Sequence, residues 1–312
     1  MLFLPYKLDV SLYRIPYLTI LACLICVVTF LFQLRSDARF TDHLQTYCAR
    51  DLDANLRAML ASTSDATLGL GCESLFMTLR ESKDRDAMFS RFAGDVHNLD
   101  FYRDKAADLK YKEDSLRSAY AEFESLVPRE LTDKLAYRPD GYNVIAMVTS
   151  TFAHSSWDHL LGNLFFFFIF AACVESVLGP MQFFISFMVM TFATSLAYSH
   201  SSDPGDALPT IGLSGVVMGM MVLLTTLLPQ ARIWCFFWFL LIVRRFTLPV
   251  LVIVAWYVGW NIYDLYHHDA SSRINYMAHV SGAITGFALG LLYRFFSPGR
   301  LNEAMVQVGT GG

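Results

Sequence analysis

The segment "LPTIGLSGVVMGMM", residues 208–221, places Ser214 in a G-x-S-G at the head of an otherwise apolar run. Two other apolar runs also open on polar groups: "FAHSSWDHLLGNLFFFF" carries His154, His159 and Asn163, and "NYMAHVSGAITGFALG" carries His279. A serine with a histidine supplies a nucleophile and a general base, the imidazole taking the hydroxyl proton and later delivering it to a leaving amine. His159 and Asn163, i and i+4 on one helix face, join the backbone N–H of Ser214 as donors for a developing oxyanion. That set describes acyl transfer. Each member alone has a plainer reading, since a hydroxyl can bond back to its own helix and a histidine near a helix end can be packed or reaching for the interface. Four such residues at one depth are another matter, because ionisable groups inside a membrane segment are costly.

Whether they share a depth depends on the elements that carry them. Of the 312 residues, 54% are hydrophobic and 17% charged, and the mean hydropathy is +0.40. This excludes an ordinary soluble domain and predicts a polytopic membrane protein. Stretches of roughly 18 or more apolar residues, enough to cross a bilayer, fall at 16–34, 157–178, 181–199, 211–228, 247–266 and 277–296. A shorter run, "IWCFFWFLLIV" at 233–243, has Arg232 before it and Arg244 and Arg245 after it, and reads as an interfacial segment between spans four and five. The positive-inside rule puts these arginines, Lys7, Arg14, Arg294 and Arg300 in the cytoplasm, and six spans then put both termini there. The N-terminal apolar run is too long for a removable signal peptide and reads as a first anchor with no targeting extension ahead of it.

Spans two, four and six then all run from outside to inside, so their polar beginnings share one level. Ser155 or Ser156 caps span two, Ser155 forming an S-x-x-D with Asp158. Gly282, Gly286 and Gly290 recur at every fourth position of span six, and Gly215 and Gly219 do so on span four. Small residues at that spacing let helices approach at backbone distance, which would bring Ser214 to His279. G-L-S-G-V is not the nucleophile elbow of soluble hydrolases, since Val216 replaces the last glycine and no strand precedes it. Asp264 and Asp269 lie near the outer end of span five, but a Ser-His dyad is the simpler expectation.

Between spans one and two, residues 36–140 hold most of the charge and no tryptophan. "DKAADLKYKEDSLRSAYAEFESL", 104–126, has apolar residues at helical spacing with acids ahead of bases, so the insert is expected to be a small helical extracytoplasmic domain. Cys48 and Cys72 fall within it, where an oxidising compartment would allow them to pair or leave them free. Cys23, Cys26, Cys173 and Cys235 read as apolar packing, and no metal site or cofactor is expected. The remaining divisions are a short N-terminal segment, 1–15, a core at 143–297 and a cytoplasmic tail, 298–312, with a Gly-rich tip.

With these residues in hand the chain resembles the rhomboid family of intramembrane serine proteases. The resemblance rests on "GLSG" at 212–215, His154 with "HLLGN" at 159–163, "AHVSGAITG" at 278–286 and "ESVLG" at 175–179. It implies an all-α, polytopic six-helix bundle of rhomboid type, with a helical extramembrane insert between the first and second transmembrane helices. In such a bundle a short fourth helix starts partway into the membrane from a water-filled outer cavity. It implies Ser214 as nucleophile, His279 as base, and His159 and Asn163 in the oxyanion hole. His154 would be a supporting polar residue, and Gly212 would shape the loop into the fourth helix. The sequence departs from the family pattern at Met218, where many members have an aromatic that stacks on the catalytic imidazole. It departs again in the first loop, where "YRPDGY" at 137–142 stands in for the usual Trp-Arg pair.

The expected function is that of a Ser-His endopeptidase cutting single-span membrane proteins in or near the outer part of their transmembrane segment. The expected partners are transmembrane substrates and the lipid bilayer, with no nucleic acid. A bacterial inner membrane is the expected location. The alternatives are a catalytically silent rhomboid-like protein that binds membrane clients, and a solute transporter, which would predict an internal symmetry that the sequence lacks.

Overall fold

The computed structural model describes residues 2–10, 12, 14–62, 71–82, 84–97, 99–202, 208–239, 242–267 and 274–296. Asp269, Arg300, part of the polar stretch ahead of Ser214 (203–207) and the tail lie outside them. The chain is predominantly helical and divides by internal packing into two compact units, Met1–Gln33 with Thr132–Gly312, and Leu34–Leu131.

The order of elements is β1 (Leu2–Leu8), α1 (Tyr17–Thr46), a short π-helix (Tyr47–Asp51), α2 (Ala54–Ser62), α3 (Cys72–Glu81), α4 (Arg85–Asp95), α5 (Lys105–Leu126) and α6 (Leu131–Leu135). Then come α7 (Val144–Phe152), α8 (Trp157–Leu178), α9 (Pro180–Ser201), α10 (Ser214–Leu227), β2 (Arg232–Phe239), β3 (Ile242–Pro249), α11 (Val250–His267) and α12 (Tyr276–Phe296). The greater part of each of the six expected apolar stretches falls on a helix. Among the described residues four helices, those starting at Tyr17, Trp157, Pro180 and Tyr276, are long and apolar enough to cross a membrane, and α10 is apolar but shorter.

The first N–H groups of a helix have no partner within it, and α1 meets this need from a distance. Glu175, buried near the end of α8, accepts from Leu18 N (2.9 Å), Thr19 N (2.8 Å) and Thr19 Oγ1 (2.7 Å), a negative charge at the positive end of the helix. The chain then leaves α8 through Gly179 at φ +83°, a left-handed conformation that glycine adopts without cost, and Pro180 opens α9. Further along α1, the buried Gln33 side chain accepts from His154 N (3.1 Å) and donates to His154 O (3.1 Å) and Thr132 Oγ1 (2.7 Å).

α10 and α12 approach at backbone distance. A methyl at Gly282 would lie 2.0 Å from the Gly215 carbonyl oxygen, and one at Gly286 2.1 Å from that of Gly219. The glycines at every fourth position are thus what lets these two helices touch.

The described residues of the run at 233–243 lie in strands. β2 pairs antiparallel with β1 on one side (Leu2↔Trp238 to Leu8↔Ile233) and β3 on the other (Arg232↔Pro249 to Phe239↔Ile242), which adds a small sheet to the helical fold expected from the sequence. Burial alternates over the first half of β2, with Ile233 and Cys235 inside and Arg232 and Trp234 exposed, the period of two that marks a strand. Residues 247–249 belong to β3, so α11 begins at Val250 rather than inside the expected 247–266 span.

The unit Leu34–Leu131 has a hydrophobic core of its own. Tyr47, Phe76, Tyr120 and Phe123 form an aromatic cluster at its centre, with Phe76 and Phe123 stacked at 4.8 Å. Cys48 and Cys72 are joined by a disulfide. Asp108 is buried and bonded to Lys112 Nζ (2.7 Å), and it also accepts from Phe101 N (2.6 Å) and Tyr102 N (3.1 Å).

Candidate active site

The loop before Ser214 is fixed by backbone pairing. Tyr137 and Thr210 exchange N–H···O bonds of 2.9 Å in both directions, and Gly212 N donates to Ser150 O (2.8 Å). The fully buried Tyr137 of "YRPDGY" therefore holds the serine loop through its backbone. Gly212 has φ +121°, and a methyl there would sit 2.8 Å from His159 Nε2, so both backbone conformation and space require glycine. Ser214 is the first residue of α10, Leu213 caps it with no side-chain bond, and the helix ladder begins with Val217 N donating to Leu213 O (3.0 Å). The uncapped N–H groups at Ser214 form the positive end of a helix, a place suited to negative charge.

α12 starts close to the same loop. Asn275 caps it by accepting from Ala278 N (2.9 Å), and its amide nitrogen donates to Thr210 Oγ1 (3.2 Å), so one side chain ties the helix of the histidine to the loop of the serine. His279, in the first turn, places Nε2 2.6 Å from Ser214 Oγ. Its Nδ1 lies 2.6 Å from Asn261 Oδ1 on α11. Of the acids weighed as a third partner, Asp264 lines the same cavity and Asp269 lies outside the described residues, while the contact to Nδ1 comes from Asn261, one turn before Asp264. An uncharged polar group within an apolar helix was the available sign of it. The Tyr276 ring lies edge-on to His279 at 6.3 Å, while Met218 is buried one turn into α10 and lines the cavity.

Ser156 is the cap of α8, accepting from His159 N (3.2 Å). Ser155 is not; its Oγ lies 3.2 Å from His159 Nδ1. A hydroxyl donating there leaves Nε2 to carry the ring proton, on the side that faces Gly212. Asn163 Nδ2 donates to His159 O (2.9 Å), and the amide keeps a second N–H. His154 is buried with its ring edge-on to His159 at 5.1 Å. Ser155, His159 and Asn163 line, with Ser214 and His279, a cavity of about 980 Å³ to which α11 adds Trp256, Tyr257 and Trp260. Among the described residues no group of His, Cys, Asp or Glu could hold a metal ion.

The Rhomboid domain profile matches residues 142–295. This chain is a rhomboid-family protein. Its rhomboid domain contains every residue of the site just described apart from Tyr137, and the unit Leu34–Leu131 lies ahead of it. Rhomboid-like protein 11, chloroplastic, of Arabidopsis thaliana is 28% identical over 156 residues, which are 50% of this chain and 55% of that protein. Presenilin-associated rhomboid-like protein A, mitochondrial, of Danio rerio is 27% identical over 150 residues, 46% of this chain and 36% of its own. A putative rhomboid protein of Acanthamoeba polyphaga mimivirus is 26% identical over 152 residues, 48% of this chain and 75% of its own. The chain thus spans about half or less of the length of the first two relatives. Their names place them in chloroplast and mitochondrion, and give no support to the bacterial inner membrane expected from the sequence.

α7 escaped the sequence reading. Asn143 caps it by accepting from Ile145 N (3.0 Å) and Ala146 N (3.1 Å), and the cap followed by a short apolar run was the available signal. The helix carries Ser150, whose carbonyl holds Gly212.

Proposed function

We propose that this protein is an intramembrane serine endopeptidase that hydrolyses a peptide bond in or near the transmembrane segment of single-span membrane proteins. The observation that carries the reading is the 2.6 Å contact between Ser214 Oγ and His279 Nε2 at the uncapped start of a membrane helix. In this mechanism His279 Nε2 removes the hydroxyl proton as Ser214 Oγ attacks the scissile carbonyl carbon. The negative charge that forms on the carbonyl oxygen is met by the N-terminal N–H groups of α10, His159 and the free N–H of Asn163. Collapse breaks the C–N bond, and His279 gives its proton to the departing amine. Water then attacks the acyl ester with the same histidine as base, releasing the carboxylic acid and restoring Ser214.

Six helices of this chain would cross the bilayer, with Lys7, Arg14, Arg232, Arg244, Arg245 and Arg294 on one side and the unit Leu34–Leu131 in water on the other. The test is cleavage of a tagged single-span substrate in reconstituted membranes, comparing the intact protein with Ser214→Ala. Cleavage that vanishes with the hydroxyl while the protein stays folded supports the protease. Labelling of neither protein by a fluorophosphonate, with no cleavage of several substrates, leaves the client-binding reading in its place.

A further inference from the structure

The base in a Ser-His pair has to present a bare Nε2 to the hydroxyl. A neutral imidazole in isolation carries its proton on either nitrogen, so something has to keep it on Nδ1. Among the described residues the group set against Nδ1 is an amide. Asn261 Oδ1 lies 2.6 Å from that nitrogen.

An asparagine amide is ambiguous until its other end is considered, because oxygen and nitrogen can exchange places. In this chain the other end is fixed. Asn261 Nδ2 donates to the Tyr257 carbonyl oxygen (2.8 Å) one turn earlier in α11. Turning the amide over would set Oδ1 against that carbonyl, two acceptors facing each other, and would aim an N–H at Nδ1. The Tyr257 carbonyl therefore selects the amide orientation, and the amide oxygen in turn demands a proton on Nδ1. Nε2 is left as an acceptor for Ser214 O–H.

Resting on the protease reading above, we infer that Asn261 is the positioning residue of the site, holding His279 in the Nδ1–H tautomer and fixing its ring against Ser214. An amide does this without adding an ionised group at membrane depth, where a charge is costly. The role sits on α11, a helix that carries neither Ser214 nor His279 and that supplies Trp256 and Trp260 to the cavity wall. A shift of α11 would consequently release the imidazole without altering the close contact of α10 and α12.

The test reads the tautomer directly. In full-length protein carrying ¹⁵N-histidine in lipid nanodiscs, the two ring nitrogens of His279, assigned by loss of their signals in His279→Gln, should show a protonated Nδ1 and an unprotonated Nε2. Asn261→Leu, close in size and unable to accept, should move the signals toward a mixture of tautomers. Asn261→Asp, which keeps an acceptor, should restore the protonated Nδ1. Labelling of Ser214 by a fluorophosphonate should slow by about tenfold or more in Asn261→Leu, within the roughly 10²–10⁴ that general acid-base catalysis supplies, and recover in Asn261→Asp. Identical ¹⁵N signatures in the intact protein and in folded Asn261→Leu overturn the inference. A correct tautomer response in a protein whose serine never labels would instead remove the protease reading and leave the positioning role standing.

Discussion

The rhomboid domain and the unit Leu34–Leu131 solve the same packing problem with opposite means. In the domain, α10 and α12 meet through glycines, with a carbonyl oxygen where a side chain would otherwise be. In the insert, four aromatic rings fill the centre, accompanied by a disulfide and a buried ion pair. Lipid tails are as apolar as leucine, so helices in a bilayer gain little by burying bulk and associate through close contact and hydrogen bonds. In water, burying aromatic area is itself the driving force. The domain should therefore be intolerant of added volume, and the insert of lost bulk or a lost staple.

The largest expected effect is Gly282→Ala. The new methyl meets backbone, which cannot rotate away, so the cost should reach or exceed the ~1–3 kcal/mol typical of overpacking. Separation of α10 from α12 should also break the Ser214–His279 contact, so that fluorophosphonate labelling and cleavage both disappear. Gly290→Ala sharpens the point, because its methyl would meet the Thr226 side chain, at 2.6 Å; a smaller fall in melting temperature is expected, with the pair retained. Equal losses in the two variants would break the argument from backbone contact.

That seam was legible in the sequence because glycine at every fourth position has one main use in a membrane helix. Ser214, His279, His159 and Asn163 were legible for a related reason, as polar groups at the starts of spans running in one direction. Asn261 was not, because a search for a third member looks for an acid, and an amide beside Asp264 draws no notice until Nδ1 is placed. The β2–β3 pair was hidden by composition. Eleven apolar residues in a row give no period to read, and the alternation of burial at 232–235 arises only once β1, more than two hundred residues away, lies alongside. The bond between Cys48 and Cys72 was left open because spacing alone does not bring two thiols together.

Next in size is the staple of the insert. Cys48→Ser with Cys72→Ser should lower the stability of that unit by about 3 kcal/mol for a loop of 24 residues, read as a shift in its thermal transition. Serine labelling in the rhomboid domain should be unchanged, since no residue of the site lies in that unit. Loss of labelling would show that the two units are less independent than their separate cores imply. Glu175→Gln follows. The amide must turn its NH₂ toward α1 backbone or Thr19 donors that the carboxylate now accepts from, and one buried donor left unpaired costs ~1–3 kcal/mol. Proteolytic sensitivity of the first turn of α1 should rise with the melting temperature falling.

The smallest effect concerns Asp108, and its sign follows from its surroundings. Burial works against its ionised form, but the hydrogen bond from Lys112, those from Phe101 N and Tyr102 N, and the Lys112 charge outweigh it and hold the carboxyl below its ordinary value of 3.8. A group whose folded-state value is depressed stabilises the fold above the unfolded value and loses that contribution as pH falls through the folded one. The melting temperature of the insert should thus hold this pair's full contribution unchanged between pH 7 and 5. It should begin to lose the contribution only below about pH 4, where unfolded carboxylates take up protons and Asp108 resists. Asp108→Asn removes the charge at every pH and should flatten the acid limb of the curve, with a lower plateau because buried Lys112 loses its nearest counter-charge and keeps only Asp100, at 3.9 Å. An acid limb unchanged by the substitution would assign the sensitivity to other carboxylates and reduce the pair to a packing contact, leaving the aromatic cluster and the disulfide as the whole of what distinguishes this unit from the glycine-packed domain.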